Sequence, residues 1–185
     1  ATNVDVLANA DTCLLALLLA ARHPERVASM TLLDPYARIT QAEDYPYGMA
    51  PSVIESIRDA ALAPGTEDVD RLALVAPSMA SDHAFRSWWD RVGRRSASPR
   101  TADRLLSVVG SADVRPVLPD VGTRTLVFLR RAVPSYDARH GHYVADRLRD
   151  VEVVESPGAD DLWWIGDDGL LDHLERFTRG RPANP

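Results

Sequence analysis

The 185 residues suffice for one domain with a sizeable buried core, and 45% apolar with 26% charged residues is the balance of an ordinary globular protein. A net charge of −6 argues against a nucleic-acid-binding surface, and because all 21 basic residues are arginine, lysine Schiff-base chemistry is excluded. The lone cysteine, Cys13, allows neither an internal disulfide nor a thiolate-rich zinc site, so a cytoplasmic location is expected.

The longest apolar run, Cys13 to Ala21, is too short to span a bilayer. Asp5 and Asp11 precede it where a signal peptide carries basic residues, so no membrane association is expected. Val4 to Ala8 is β-prone and leads into Asp11 to Arg22, a stretch without a polar face that predicts a buried helix. His23-Pro24 ends it, since the residue before a proline is pushed out of the helical region. Val27 to Leu33 predicts a second buried strand, completing a βαβ unit and implying a parallel sheet. Between Pro35 and Ala112 only helices are predicted: Ser52 to Leu62, Glu67 to Val75, Ser81 to Arg94 and Pro99 to Val109, with Pro64-Gly65 as a break. Alternation then resumes with a strand at Thr125 to Leu129 and a helix at Asp137 to Leu148, capped by Asp137. A strand at Val151 to Glu155 and a closing helix at Leu170 to Phe177 follow.

The unit of strand, sharp turn, buried helix, R-H-P-E-R-V (Arg22 to Val27) and a strand ending in Leu33-Asp34 resembles the α/β-hydrolase fold around its nucleophile turn. Ala76 to Arg91, Ser96 to Pro99, Val114 to Pro119, His140 to Ala145 and Ser156 to Asp167 resemble one subgroup, whose hydrolase-like domain often precedes an adenylate or guanylate cyclase domain. The resemblance implies an α/β core formed by residues 1–36 and 112–180, a helical cap over 37–111 and a tail at 181–185. It also implies that the chain is the C-terminal portion of such a domain, with the first strands, the first helix and one oxyanion-hole loop lying before Ala1.

In that family a G-x-S-x-G turn presents the nucleophilic serine, whose next backbone N–H helps form the oxyanion hole. Aligned on His23-Pro24, the turn reads Ala8-Asn9-Ala10-Asp11-Thr12, which places Ala10 at the nucleophile position. Alignment on His140-Gly141 places Val133 at the acid position, and Asp160-Asp161-Leu162 places Asp161 where histidine is expected. An alanine methyl cannot attack a carbonyl, and an ionised aspartate is a poor proton shuttle unless its pKa is raised. The expectation is therefore a non-catalytic ligand-binding, regulatory or scaffolding module of a signalling protein. The alternative is a hydrolase of small esters or lactones that uses Asp11 with Asp34 or Asp161.

The competing readings of single residues are bland. Asp11 reads as the cap of the buried helix, Cys13 as an inert thiol and Asp34 as an acceptor that fixes its loop. Trp88-Trp89 and Trp163-Trp164 either line a pocket for an apolar or planar ligand or pack cap against core, so Asp11, Asp34, Trp88, Trp89, Asp161, Leu162 and Trp163 form the candidate pocket. His140 and His142 sit two apart on a predicted helix, point apart and read as surface residues, so no metal site is expected, nor any cofactor. The acidic cluster Asp160, Asp161, Asp167 and Asp168 reads as solvated, and the Arg94-Arg95 and Arg130-Arg131 pairs as solvated or paired with the acidic excess. A bare edge at Val4 to Ala8 predicts a homodimer, or a partner segment that completes the sheet.

Overall fold

A computed structural model describes residues 3–62, 70–166 and 169–180 of the chain. Four strands form one sheet: β1 (Val4–Asn9), β2 (Val27–Leu33), β3 (Thr125–Arg130) and β4 (Val151–Ser156). They lie side by side in chain order and every pair is parallel, with Leu32 opposite Val127 and Leu33 opposite Phe128. The expected α/β architecture, a parallel sheet flanked by helices, is thus present.

Helix α1 (Thr12–Arg22) returns from β1 to β2 and buries Cys13, Leu14, Ala16, Leu17 and Ala20 on one sheet face, with Met30, Leu32, Val127 and Leu129. Neighbouring strand residues point to opposite faces, so Leu33 and Phe128 form a second cluster on the far side. There they meet Leu170 of the closing helix (Leu170–Arg179). The expectation that α1 is buried all round is corrected. Leu15 is 68% exposed, because the sheet covers only one side of the helix.

Among the described residues, four α-helices separate β2 from β3: α2 (Pro51–Leu62), α3 (Arg71–Val75), α4 (His83–Ser96) and α5 (Pro99–Ser111). Side-chain caps set three of their starts. Asp70 accepts from the Leu72 and Ala73 amides, Asp82 from Phe85 and Ser98 from Thr101. These caps move the starts of α3 and α4 from the predicted Glu67 and Ser81; residues 67–69 lie outside the described residues. Helices α2 and α5 pack together, joined by an Arg58–Asp103 ion pair at 2.7 Å.

Helix α6 (Arg139–Ala145) is shorter than the predicted Asp137 to Leu148. Asp137 does not cap it: its carboxylate accepts from the Arg139 backbone N–H at 2.9 Å and pairs with the Arg139 guanidinium, closing a turn ahead of the helix. The closing helix is α7 in chain order. Among the described residues no helix is long and apolar enough to cross a membrane.

Candidate active site

Ala10 occupies the turn between β1 and α1 with φ +46°, a left-handed backbone that costs an L-residue about 1–2 kcal/mol. The Ala10 N–H donates to the Leu33 carbonyl at 2.9 Å, and its carbonyl accepts the Cys13 N–H at 2.9 Å, so the strained residue is tied on both sides. Thr12 closes the turn, its hydroxyl accepting from the Asn9 N–H and donating to the Asn9 carbonyl.

The reading of Asp11 as a cap is corrected. Asp11 stands at the capping position with helical dihedrals and makes no side-chain bond to the helix. Its carboxylate instead accepts the hydroxyl of Tyr36, at the end of the loop that leaves β2. Burial, then the nearby Asp11 charge, pushes the Tyr36 hydroxyl well above its ordinary pKa, so it remains a donor.

Asp34, also at φ +46°, is fully buried and committed. One carboxylate oxygen accepts the Arg130 backbone N–H at 2.8 Å, and the other accepts the Arg130 Nε at 2.7 Å. Burial pushes the carboxyl up to about 6 against the pull of the guanidinium. Asp34 therefore fixes its loop, as expected, with no face left for a substrate. Of the two readings of Arg130, solvated or paired with an acidic residue, the second holds: it is 2% exposed and paired with Asp34. Only Arg131 keeps to the surface, near Glu155.

Asp161 remains partly open, its side chain 26% exposed. Burial raises its pKa, Arg130 and a hydrogen bond with the Asn9 side chain pull it down, and the Asp11 charge raises it again. The structure thus gathers Asp11 and Asp161 around the Ala10 turn. Asp160 is not solvated as expected: it accepts from the Ser78 N–H and hydroxyl, while the Asp161 N–H donates to the Val75 carbonyl. The loop after β4 is thereby pinned to α3 and the turn behind it. Asp167 and Asp168 lie outside the described residues.

Val133 is buried in the turn after β3, and Cys13 is fully buried, burial pushing its thiol far above the ordinary range. Trp88 stacks on Phe85 with ring centroids 5.1 Å apart. Trp163 meets Trp164 at 5.8 Å and packs on the Leu33–Phe128–Leu170 cluster, and Trp89 and Leu162 are half-buried. A groove of about 360 Å³ opens elsewhere, between β1, β2 and α7, and is lined by Leu7, Thr31, Leu171 and Leu174 rather than by tryptophan.

The reading of both histidines as surface residues is corrected for His140. It is buried, and its Nδ1 lies 2.5 Å from the Tyr45 hydroxyl. His142 pairs instead with Glu155 at 3.1 Å. Among the described residues no acidic, histidine or cysteine cluster has the makings of a metal site.

Tyr36 was not singled out from the sequence, Asn9 was named only as part of the turn, and Arg130 only as one of an arginine pair with no partner named. A signal for Arg130 existed: an arginine ending an otherwise apolar central strand, beside an aspartate ending its neighbour, is placed to form a buried pair.

No family model matches the chain. A pimeloyl-[acyl-carrier protein] methyl ester esterase of Neisseria meningitidis is 28% identical over 156 residues, 83% of this chain and 60% of that protein. The chain thus spans about three-fifths of the length of this relative. Among solved structures, an enol-lactonase from Burkholderia xenovorans superposes with a TM-score of 0.75 at 19% identity, covering 96% of this chain and 66% of the other. A bromoperoxidase from Bacillus anthracis gives 0.77 at 16% identity, covering 96% and 68%. The fold is that of the α/β-hydrolases, and an α/β hydrolase enzyme from a deep-sea metagenome shares it at a TM-score of 0.72.

Two expectations are corrected by these likenesses. The relatives are named as methyl ester esterases, which overturns the reading of the chain as a non-catalytic module of a signalling protein. The same names replace the expected kinship with a cyclase-associated domain.

Proposed function

We propose that the chain is the portion of an ester or lactone hydrolase that carries its reacting carboxylates. The observation that carries this reading is the Asp11 carboxylate, held by Tyr36 beside the Ala10 turn and within electrostatic reach of the half-open Asp161. The likeness to methyl ester esterases supports the substrate class. Asp34, the other carboxylate considered from sequence, is spent on Arg130.

We read Ala10, Val133 and Asp161 as standing at the positions that serine, acid and histidine occupy in relatives. With no hydroxyl at Ala10, no acyl-enzyme forms there and water attacks directly. Two carboxylates in unlike environments divide the acid and base roles. Asp11, whose carboxylate is held by the Tyr36 hydroxyl, takes a proton from water as the water oxygen bonds to the ester carbonyl carbon. Asp161, whose pKa burial raises, gives a proton to the carbonyl oxygen from its protonated form. On collapse the carbon–oxygen bond to the alcohol breaks, the alcohol leaves with the proton held by Asp11, and Asp161 recovers its own. No metal or cofactor is required by this scheme.

Hydrolysis of a p-nitrophenyl ester tests the reading. Asp11→Asn and Asp161→Asn should each lower kcat/KM by about 10²–10⁴-fold, the usual range for a general acid or base. Wild-type rates in both variants would overturn it, as would stable acylation of the enzyme by the ester.

The remaining expectations stand as proposals. Helices α2 to α5 form the cap, and the buried lone cysteine suits a cytoplasmic setting. β1 lies at the sheet edge with Val4 54% and Leu7 41% exposed, where a strand from a second copy would add. Sedimentation of the purified chain as a monomer would refute that dimer.

A further inference from the structure

We propose that Arg130 is the positioning residue of the site: its guanidinium locks the ends of β1, β2 and β3 to the loop after β4 and so sets how Asn9 and Asp161 face the Ala10 turn. Its kinetic consequence rests on the hydrolase reading above; the positioning itself does not.

A guanidinium that is 2% exposed is retained only if its charge is paired and its N–H groups are matched. Here the matching is divided among elements. Nε and Nη2 meet Asp34 after β2, at 2.7 and 2.6 Å. Nη2 also donates to the Asn9 side-chain oxygen at the end of β1, at 3.0 Å. Nη1 donates to the Asp160 carbonyl in the loop after β4, at 2.6 Å. The planar fork of arginine suits such a junction, whereas the single ammonium of lysine would be a point charge on a flexible stem.

The contact with Asn9 has a directional effect. A carboxamide has one accepting and one donating end, and Arg130 takes the accepting end. The NH₂ end is left for Asp161, whose pKa the Asn9 side chain lowers. Without Arg130 the amide is free to turn its carbonyl toward a carboxylate. Arg130 itself stands 3.8 Å from Asp161, close enough for its charge to lower that pKa but beyond hydrogen-bond range, so its positional hold on that residue runs through Asn9 and the Asp160 carbonyl. The groups that bear on Asp161 are Arg130 from β3, Asp34 after β2, Asn9 at the end of β1 and Asp11 at the start of α1; Cys13 and Tyr36 are also within its electrostatic reach.

The test is an NMR titration of the Asp161 carboxyl in chain labelled with ¹³C-aspartate, with ester hydrolysis measured in parallel. Two variants are compared with wild type. Asn9→Ala breaks the relay and leaves the ion pair. Arg130→Met with Asp34→Leu removes both buried charges together, so no unpaired charge is left buried, and a shift there combines the lost hydrogen bonds with the lost pull of the Arg130 charge. The Asp161 midpoint should rise by roughly one pH unit in Asn9→Ala, a tenfold change in proton affinity, and should move the same way in the double variant. The kcat should fall with KM unchanged.

A wild-type midpoint in Asn9→Ala overturns the proposal whatever the rates, and this variant keeps the test decisive if the double variant does not fold. A shifted midpoint with hydrolysis indifferent to Asp161→Asn upholds the positioning role and overturns the hydrolase reading instead.

Discussion

The Tyr45 hydroxyl and the Nδ1 of His140, ninety-five residues apart in the chain, lie 2.5 Å from each other in a buried contact. Burial pushes the tyrosine up and the histidine down to about 4, so the hydroxyl is the donor and the neutral ring the acceptor. Protonating the ring destroys that acceptor.

Stability should therefore depend on pH through His140. The folded-state pKa of about 4 lies below the ordinary 6.5, so the unfolded chain binds the proton more tightly. The histidine's contribution is complete above pH 6.5 and is lost as pH falls toward 4. Asp34, raised to about 6, acts in the opposite sense, its contribution declining as pH rises through that value. Comparison with His140→Asn cancels the aspartate effect. Thermal melts from pH 7 to pH 4 should show the wild type losing its advantage over the variant, and a constant difference would refute the assignment.

Tyr36→Phe removes the hydroxyl that steadies Asp11 and little else of the side chain. A hydrogen bond to a charged group contributes about 1.5–3 kcal/mol, so kcat should fall roughly ten- to a hundredfold. Unchanged kcat, with the fold verified by circular dichroism, would remove Tyr36 from the scheme.

Gly141 lies against β3 so closely that an added Cβ would stand 2.2 Å from the Leu129 Cδ2 and 2.7 Å from the Tyr136 hydroxyl. Gly141→Ala should destabilise the protein by about 1–3 kcal/mol, the usual cost of overpacking, as read from urea denaturation. It should also loosen His140, the preceding residue.

The two sides of α1 give a contrast within one helix. Leu17, fully buried, should cost about 2–5 kcal/mol as Leu17→Ala, whereas Leu15→Ala should stay within about 0.5 kcal/mol. Equal losses would mean that the outer face of α1 is covered in solution.

How much of this was visible in the sequence depended on whether the signal was local. Val27 to Leu33 could be read because a short, uncharged and mostly apolar run between a proline turn and an aspartate suits a buried strand, and β2 has those bounds. The starts of α3 and α4 were misplaced because the aspartates that cap them were read as helix rather than as stops. Ala10 was located through its spacing from His23-Pro24, and a left-handed φ is what a sharp strand-to-helix turn demands there. Tyr36 was missed, His140 misjudged and the partner of Arg130 left unnamed for one shared reason. Their partners Asp34, Asp11 and Tyr45 lie between 25 and 96 residues away, and no periodicity within a single element reports such pairings.

The chain holds five tyrosines, and all of them gather about one ring: Tyr36, Tyr45, Tyr47 and Tyr136 have ring centroids within 6.0 Å of that of His140, and Tyr143 stacks edge-on to Tyr45. Its four tryptophans, Trp88, Trp89, Trp163 and Trp164, lie in α4 and in the loop after β4. The two chromophores are thus segregated by region, and the protein carries a two-channel optical probe of its own. Phenolic absorbance reports the knot between the loop after β2 and α6, while indole emission reports α4 and the site loop, so the order in which the two regions come apart can be followed without any label.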